Sequence, residues 1–243
     1  MKNLLMLDFD GTLAPFSPER NNARLYPGVL EVLRDIAERG RTEVIFVTGR
    51  KAEELDRLLS FRGWTEIWGE HGLERRTRDG ATELKDRELR GGPVDRLLAA
   101  LAKAGLAEQV EQKKGGVAVH WSGLPAERQR QVRHLAITTL LQTLRPDTSC
   151  RFMNFQDGLE FRFSPRTKGD AVREILQSAQ PPAKVAYLGD DITDEPAFEA
   201  MQGAGDSVLV RANYRPTLAK RWLRPPEELI SYLERWRDED GEI

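Results

Sequence analysis

Four apolar residues in succession, Leu4-Leu5-Met6-Leu7, open the chain and stop at Asp8. An unbroken apolar run of this length predicts a short strand covered on both faces, the habit of parallel sheets. The period then changes. Val29, Leu30, Val32, Leu33 and Ile36 mark one face of a helix entered after Tyr26-Pro27-Gly28 and stopped at Gly40. A strand over Glu43–Val47 follows, then a helix from Ala52 to about Ser60 and a strand ending near Trp68-Gly69. Arg75–Leu84 reads as a hairpin turned on Asp79-Gly80. Strand and helix in alternation predict a parallel sheet.

The rhythm breaks at Gly91-Gly92-Pro93. A helix over Val94–Ala104 leads to two strands, Gln109–Lys113 and Val117–Trp121, joined at Gly115-Gly116. A long helix over Ala126–Leu144 precedes a second hairpin, Arg151–Phe155 with Leu159–Phe163, about Asp157-Gly158. Alternation then resumes. A helix from Asp170 to about Ala179, strands at Val185–Leu188 and Ser207–Val210, and a last helix over Glu227–Trp236 complete it. The prediction is an α/β core, residues 1–86 and 165–243, interrupted by a small α+β unit over 87–164. No internal repeat, coiled coil or low-complexity tract is visible, and Arg237–Glu242 is a charged tail.

The apolar punctuation places the candidate chemistry. Asp8-Phe9-Asp10-Gly11-Thr12-Leu13 follows the first strand, where open α/β sheets bind ligands. Side chains two apart share a face, so Asp8 and Asp10 can approach one cation and one substrate. Asp-x-Asp alone is a weak signal. Far along the chain, Gly189-Asp190-Asp191-Ile192-Thr193-Asp194-Glu195 follows another apolar run and opens a helix near Glu195-Pro196. Two strands ending in paired carboxylates form a pocket of hard oxygen ligands, which suits Mg²⁺ better than zinc. Thr48-Gly49-Arg50 ends a strand as a phosphate-receiving hydroxyl would, and Thr167-Lys168-Gly169 sets an ammonium near a helix start. A lysine there opposes the helix dipole, so an anion is expected nearby. Each piece has a plainer reading. Asp10-Gly11 favours a turn, Thr48-Gly49 could be a turn or a helix start, and Asp190, Asp191 and Asp194 could cap a helix. All four in this order, each beside a strand end, favour catalysis.

Composition narrows the class. With 243 residues, 40% of them hydrophobic and 31% charged, the chain can build one large domain or two modest ones. Lys and Arg total 37 against 39 Asp and Glu, so a net charge of −2 gives no reason to expect nucleic acid. A single cysteine, Cys150, rules out an internal disulfide, fits a reducing compartment and reads as a small apolar strand residue. No stretch approaches the roughly 20 apolar residues that span a bilayer. Asp8 and Asp10 interrupt the opening run too early for a signal peptide, so a cytoplasmic location is expected.

Taken in order, these motifs resemble the haloacid dehalogenase superfamily of aspartyl phosphatases, and more closely the trehalose-6-phosphate phosphatases. Gly72-Leu73-Glu74 and Glu160-Phe161-Arg162 add to the likeness, which covers nearly the whole chain. The resemblance implies a Rossmann-like core with the larger type of inserted cap. It implies Asp8 as a nucleophile forming a phosphoaspartyl intermediate. An unperturbed carboxyl pKa of about 3.9 would keep it ionised without a base. Mg²⁺ would be held by Asp8, Asp190 and the carbonyl of Asp10. The Asp10 side chain would serve as acid and then base, a task that calls for a pKa raised by its neighbours. Thr48 and Lys168 would hold the phosphoryl group, with Gly49, Arg50, Asp191 and Asp194 supporting. Glu111, Lys113, His120 and Glu160 lie where the family binds its sugar, a neutral polyol suited to charge-assisted hydrogen bonds. Two departures stand out. His120 continues into Trp121-Ser122 where the family has Tyr-Arg, and Phe163 replaces a common proline. They bear on which sugar phosphate is taken, whether trehalose 6-phosphate, sucrose phosphate, a glycosyl phosphoglycerate or a hexose phosphate. A mutase, a phospho-receiver module and a non-catalytic binding protein are the remaining alternatives.

Overall fold

A computed structural model describes residues 2–16, 23–59, 65–85, 92–145, 150–155, 158–179 and 184–239. The elements run β1 (Asn3–Leu7), α1 (Val29–Glu38), β2 (Thr42–Val47), α2 (Ala52–Leu59), β3 (Glu66–Gly69), β4 (Glu74–Arg76) and β5 (Thr82–Leu84). Then come α3 (Pro93–Lys103), β6 (Val110–Lys113), β7 (Gly116–His120), α4 (Ala126–Thr143), β8 (Arg151–Phe155) and β9 (Gly158–Arg162). The chain closes with α5 (Lys168–Ser178), β10 (Val185–Gly189), α6 (Glu195–Ala200), β11 (Asp206–Val210), β12 (Arg221–Leu223) and α7 (Glu227–Glu239). The expected elements are present within a residue or two at most ends. β12 was not expected, since Arg-Trp-Leu is too short and too charged to show a strand pattern. Gly91 and Asp157, read as breaks in the sequence, lie outside the described residues.

The chain divides into two compact units, Met1–Lys85 with Arg166–Ile243, and Asp86–Pro165. In the first, one sheet has the order β12-β11-β10-β1-β2-β3-β4-β5, parallel from β12 to β3 with β4 and β5 antiparallel. The apolar opening run is its centre: Leu4 to Leu7 pair with β10 on one side and β2 on the other. The succession runs outward through β2 and β3 on one side and through β10, β11 and β12 on the other, so the switch point lies between β1 and β10. Alternation splits the run between two cores. Leu5 and Leu7 pack with α1, α2 and α7; Leu4 and Met6 pack with α5 and α6. Each fully buried side chain contributes about 1.5–3 kcal/mol, so β1 is a firm base for the residues at its end. Asp8 continues the series Leu4, Met6 and so emerges on the α5 side.

The second unit is an antiparallel sheet of order β6-β7-β9-β8. Val117, Val119, Leu159 and Phe161 face α3 and α4 and form its core. Cys150 stands one residue before β8 rather than within a strand and packs against this core. Burial pushes its thiol up to about 11, which favours the protonated thiol at neutral pH.

Where the chain leaves and re-enters the first unit, one carboxylate serves both crossings. Glu174 of α5 accepts Lys85 Nζ at 2.6 Å and Arg166 Nη2 at 3.0 Å. Arg166 also donates to the Gly72 carbonyl at 2.9 Å. Among the described residues, no helix is long and apolar enough to cross a membrane.

Candidate active site

Asp8 leaves β1 buried, and Thr12 Oγ1 donates to its Oδ2 at 3.0 Å. Its other oxygen, Oδ1, accepts Lys168 Nζ at 2.7 Å. Thr167 caps α5, with its side chain and that of Asp170 in a reciprocal box, so Lys168 is the first helical residue and points back to the strand ends. The anions that a lysine at this position calls for are Asp8 and Asp194, the latter at 2.8 Å. Burial pulls the ammonium down, but Asp194 and Asp8 outweigh it, and Lys168 is held above its usual value. Asp8 moves the other way from expectation. Burial is the largest cause, Lys168 opposes it, and Asp194 and Asp10 add their repulsion; the carboxyl is raised from 3.8 to about 7. Without a further cation Asp8 is therefore only part-ionised at neutral pH, which corrects the reading that an ordinary carboxyl pKa suffices.

The second acidic cluster follows β10, across the switch point. Asp194 is fully buried and all its lone pairs are engaged. Oδ1 accepts Lys168 and the Tyr187 hydroxyl, and Oδ2 accepts the amides of Asp190 and Asp191 at 3.1 and 3.0 Å. Asp194 thus orients Lys168 and the loop. Asp190 is buried and pushed well above the normal carboxyl range, first by burial and then by Asp8 and Asp194. Gly11 leaves room for it: with φ at +84°, a Cβ there would stand 2.1 Å from Asp190 Oδ2. Asp191 is exposed; its amide donates to Asp194 Oδ2, while Lys168 donates to Asp8 and Asp194.

Carboxylate oxygens of Asp8, Asp190 and Asp194 lie within 4.8 Å of one another. The donor set is all oxygen, and the buried carboxyls of Asp8 and Asp190 repel one another with Lys168 as the cation that offsets them. That fits a hard divalent cation. Since Asp194 is already saturated by four donors, the oxygens left for a cation are those of Asp8 and Asp190.

Thr48 and Arg50 leave β2 beside this cluster. Thr48 is fully buried; its amide donates to the Trp68 carbonyl and its hydroxyl oxygen accepts the Arg50 amide at 3.1 Å. Gly49 is required by close approach, because a Cβ would meet the His71 imidazole at 2.8 Å. His71 and Glu70 both take left-handed backbone, φ 58° and 48°, and their amides bond the carbonyls of Thr48 and Arg50. Arg50, 1% exposed, grips both oxygens of Asp10 at 2.6 and 2.7 Å and pairs with Glu54 at 2.6 Å. On sequence alone Arg50 has only a supporting role and is not paired with Asp10 or Glu54.

In the second unit, register places Glu111, Lys113, His120 and Glu160 on the sheet face opposite α3 and α4. Lys113 Nζ and Glu160 Oε2 are 2.7 Å apart and both residues are buried, while His120 Nε2 and Glu111 Oε2 are 3.0 Å apart. Arg162 shares this face, 3.8 Å from Glu160. The four residues proposed for the sugar therefore form two linked acid–base pairs.

Thr12 and Tyr187 were missed as site residues. Thr12 sat in the quoted Asp-x-Asp motif with no role given to it. Tyr187 was absorbed into an apolar strand run, and nothing in sequence tells which way its hydroxyl points.

Comparison with known proteins fits this arrangement. The family model for trehalose-phosphatases matches residues 6–219. Trehalose-phosphate phosphatase of Mycobacterium bovis is 30% identical over 246 residues, covering 95% of this chain and 60% of its own length. The Mycobacterium avium protein of the same name is 30% identical, covering 97% and 62%. The chain thus spans about 60% of the length of the curated relatives it matches. Among solved structures, an Aspergillus fumigatus trehalose-6-phosphate phosphatase superimposes with a TM-score of 0.64 at 25% identity, covering 98% of this chain and 93% of that one. A haloacid dehalogenase-like hydrolase from Bacteroides thetaiotaomicron shares the fold at 15% identity, with a TM-score of 0.66 and coverage of 97% and 100%. With paired acids at the switch point, a lysine at the head of α5 and a match along most of its length, the chain belongs to the trehalose-phosphatase family of the haloacid dehalogenase superfamily.

Proposed function

We propose that the protein is a Mg²⁺-dependent phosphatase that hydrolyses trehalose 6-phosphate to trehalose and phosphate through a phosphoaspartyl intermediate at Asp8. The observation that carries the reading is Asp8 at the switch point, bonded to Lys168 and facing Asp190. Mg²⁺ bound by Asp8, Asp190 and the Asp10 carbonyl would supply charge neutralisation between the nucleophile and the phosphate dianion.

The rest is done by the chain. An oxygen of Asp8 attacks phosphorus in line with the sugar oxygen, a new O–P bond forms, and the old P–O bond breaks with its electron pair on the sugar. Lys168 fixes the Asp8 carboxylate and lends positive charge to the phosphoryl oxygens. Thr48, whose oxygen already accepts the Arg50 amide, keeps its hydroxyl hydrogen to donate to a phosphoryl oxygen. Asp10 protonates the departing sugar oxygen. Its resting partner is Arg50, so proton transfer requires the side chain to turn from that fork towards the substrate. Water then attacks the phosphoaspartyl phosphorus, Asp10 takes its proton, and Asp8 is released with inorganic phosphate. We assign recognition of the sugar hydroxyls to Glu111, Lys113, His120 and Glu160, with Arg162 as a further cation on the same face. The test is a panel of trehalose 6-phosphate, sucrose phosphate, a glucosyl phosphoglycerate and hexose phosphates in Mg²⁺ buffer. The highest kcat/KM is expected for trehalose 6-phosphate; a higher value for any other member would overturn the assignment of substrate.

A further inference from the structure

Resting on the Mg²⁺ reading of Asp8 and Asp190, we propose that Arg215 is a positioning residue for the cation: its guanidinium holds the carbonyl side of the Asp190–Asp191 loop in the shape that binds metal. The loop is pinned from two directions. Asp194 collects the amides of Asp190 and Asp191. Arg215 collects their carbonyls, Nε to Asp190 O at 3.3 Å and Nη2 to Asp191 O at 2.7 Å. The same guanidinium donates through Nη1 to Glu195 and to the Pro216 carbonyl at 2.9 Å. Glu195 is in turn tied to the segment that carries Arg215, accepting Thr217 Oγ1 and the Leu218 amide, each at 2.8 Å.

The geometry decides between two roles for this charge. As a point charge close to Asp190, an arginine opposes cation binding, and its removal should tighten Mg²⁺. As a planar fork reaching two successive carbonyls, it fixes peptide planes that orient a ligating carboxylate, and its removal should loosen Mg²⁺. At 17% exposure, with four acceptors engaged, the side chain is committed to the second role. Arg211 reaches the same carbonyl only at 3.4 Å, is 42% exposed, and is the lesser contributor. None of the sequence motifs contains Arg215, so no reading of those motifs points to it.

The experiment is titration of wild type, Arg215→Gln and Arg215→Lys with Mg²⁺ alone, read by calorimetry and by the Mg²⁺-induced rise in Tm, with metal-free Tm as the control for folding. Both variants are expected to bind Mg²⁺ about 10-fold or more weakly, the cost typical of losing a partner that orients a metal ligand. Lysine keeps the charge and the fold but not the fork, so it tests geometry even if glutamine destabilises the chain. Unchanged or tighter Mg²⁺ binding by either variant overturns the positioning role, including the case where only the metal-free Tm falls. A wild type that shows no Mg²⁺ response at all removes the magnesium reading and this inference together.

Discussion

Raising the pH of the metal-free protein from 5 to 8 should destabilise it, and the size of the effect follows from one buried carboxyl. Asp8 titrates near 3.8 when unfolded and near 7 when folded. Between those values the folded state holds a proton that the unfolded state has lost, so stability falls as pH rises. Each pH unit inside the window is about 1.4 kcal/mol. From pH 5 to the folded value about two units are crossed, a loss of about 3 kcal/mol. Asp190, also raised, acts in the same direction. Other shifted groups act elsewhere. Asp170 and Glu174 are held low, and their contribution is lost only as pH falls below the normal carboxyl range. Lys168 is raised, so its contribution is complete below the normal lysine range and is lost only above it. Urea unfolding in EDTA, followed by tryptophan fluorescence to which buried Trp68 and Trp236 contribute, should show the fall. If Mg²⁺ binds the ionised carboxylates as proposed, excess Mg²⁺ should cancel the fall, stabilising more at pH 8 than at pH 5. Metal-free stability that is flat or rises over this range would refute the account of Asp8.

Three substitutions test the chemistry. Asp8→Asn is nearly isosteric but neither nucleophilic nor a good Mg²⁺ ligand, and should abolish phosphate release; turnover within about tenfold of wild type removes it from that role. Asp10→Asn should slow sugar phosphate hydrolysis by about 10²–10⁴-fold and p-nitrophenyl phosphate less, since p-nitrophenol leaves without a proton. Equal losses would mean that Asp10 serves only to hold Arg50 and the turn. Glu160→Gln keeps a neutral partner for buried Lys113, so the fold should persist while kcat/KM for trehalose 6-phosphate drops about 10-fold to 1000-fold. A matching drop with p-nitrophenyl phosphate would place the residue outside sugar recognition.

The β-strands that carry the site were legible because parallel strands buried on both faces write themselves as apolar runs, and Leu4–Leu7 and Val185–Leu188 are such runs. Asp8, Thr48 and Asp190 could be placed because each stands at the end of one. Lys168 was legible as a charge in the wrong place for a helix dipole. Residues whose roles depend on partners distant in sequence were not. Arg50 and Asp10 are 40 residues apart, and Lys168 and Asp8 are 160 apart. Local pattern holds no record of such pairings. The raised Asp8 carboxyl was invisible for a similar reason: burial is its largest cause, and burial belongs to the assembled sheet. Arg221–Leu223 escaped because a three-residue edge strand beside basic residues has no period to detect.

The double grip of Glu174 on Lys85 and Arg166 bears on how such a molecule can change over time. The exit and return of the chain are anchored within reach of one side chain, so the intervening 80 residues are, for the core, a loop whose ends are already brought together. Closing a loop costs only slightly more as it lengthens, which makes the core nearly indifferent to how much chain is threaded between those two anchors. An insert of another size could be spliced in at Lys85 and Arg166 with the acidic pocket and α5 left as they are. The inserted unit can therefore be exchanged as a cassette while the first unit keeps its sheet and its carboxylates.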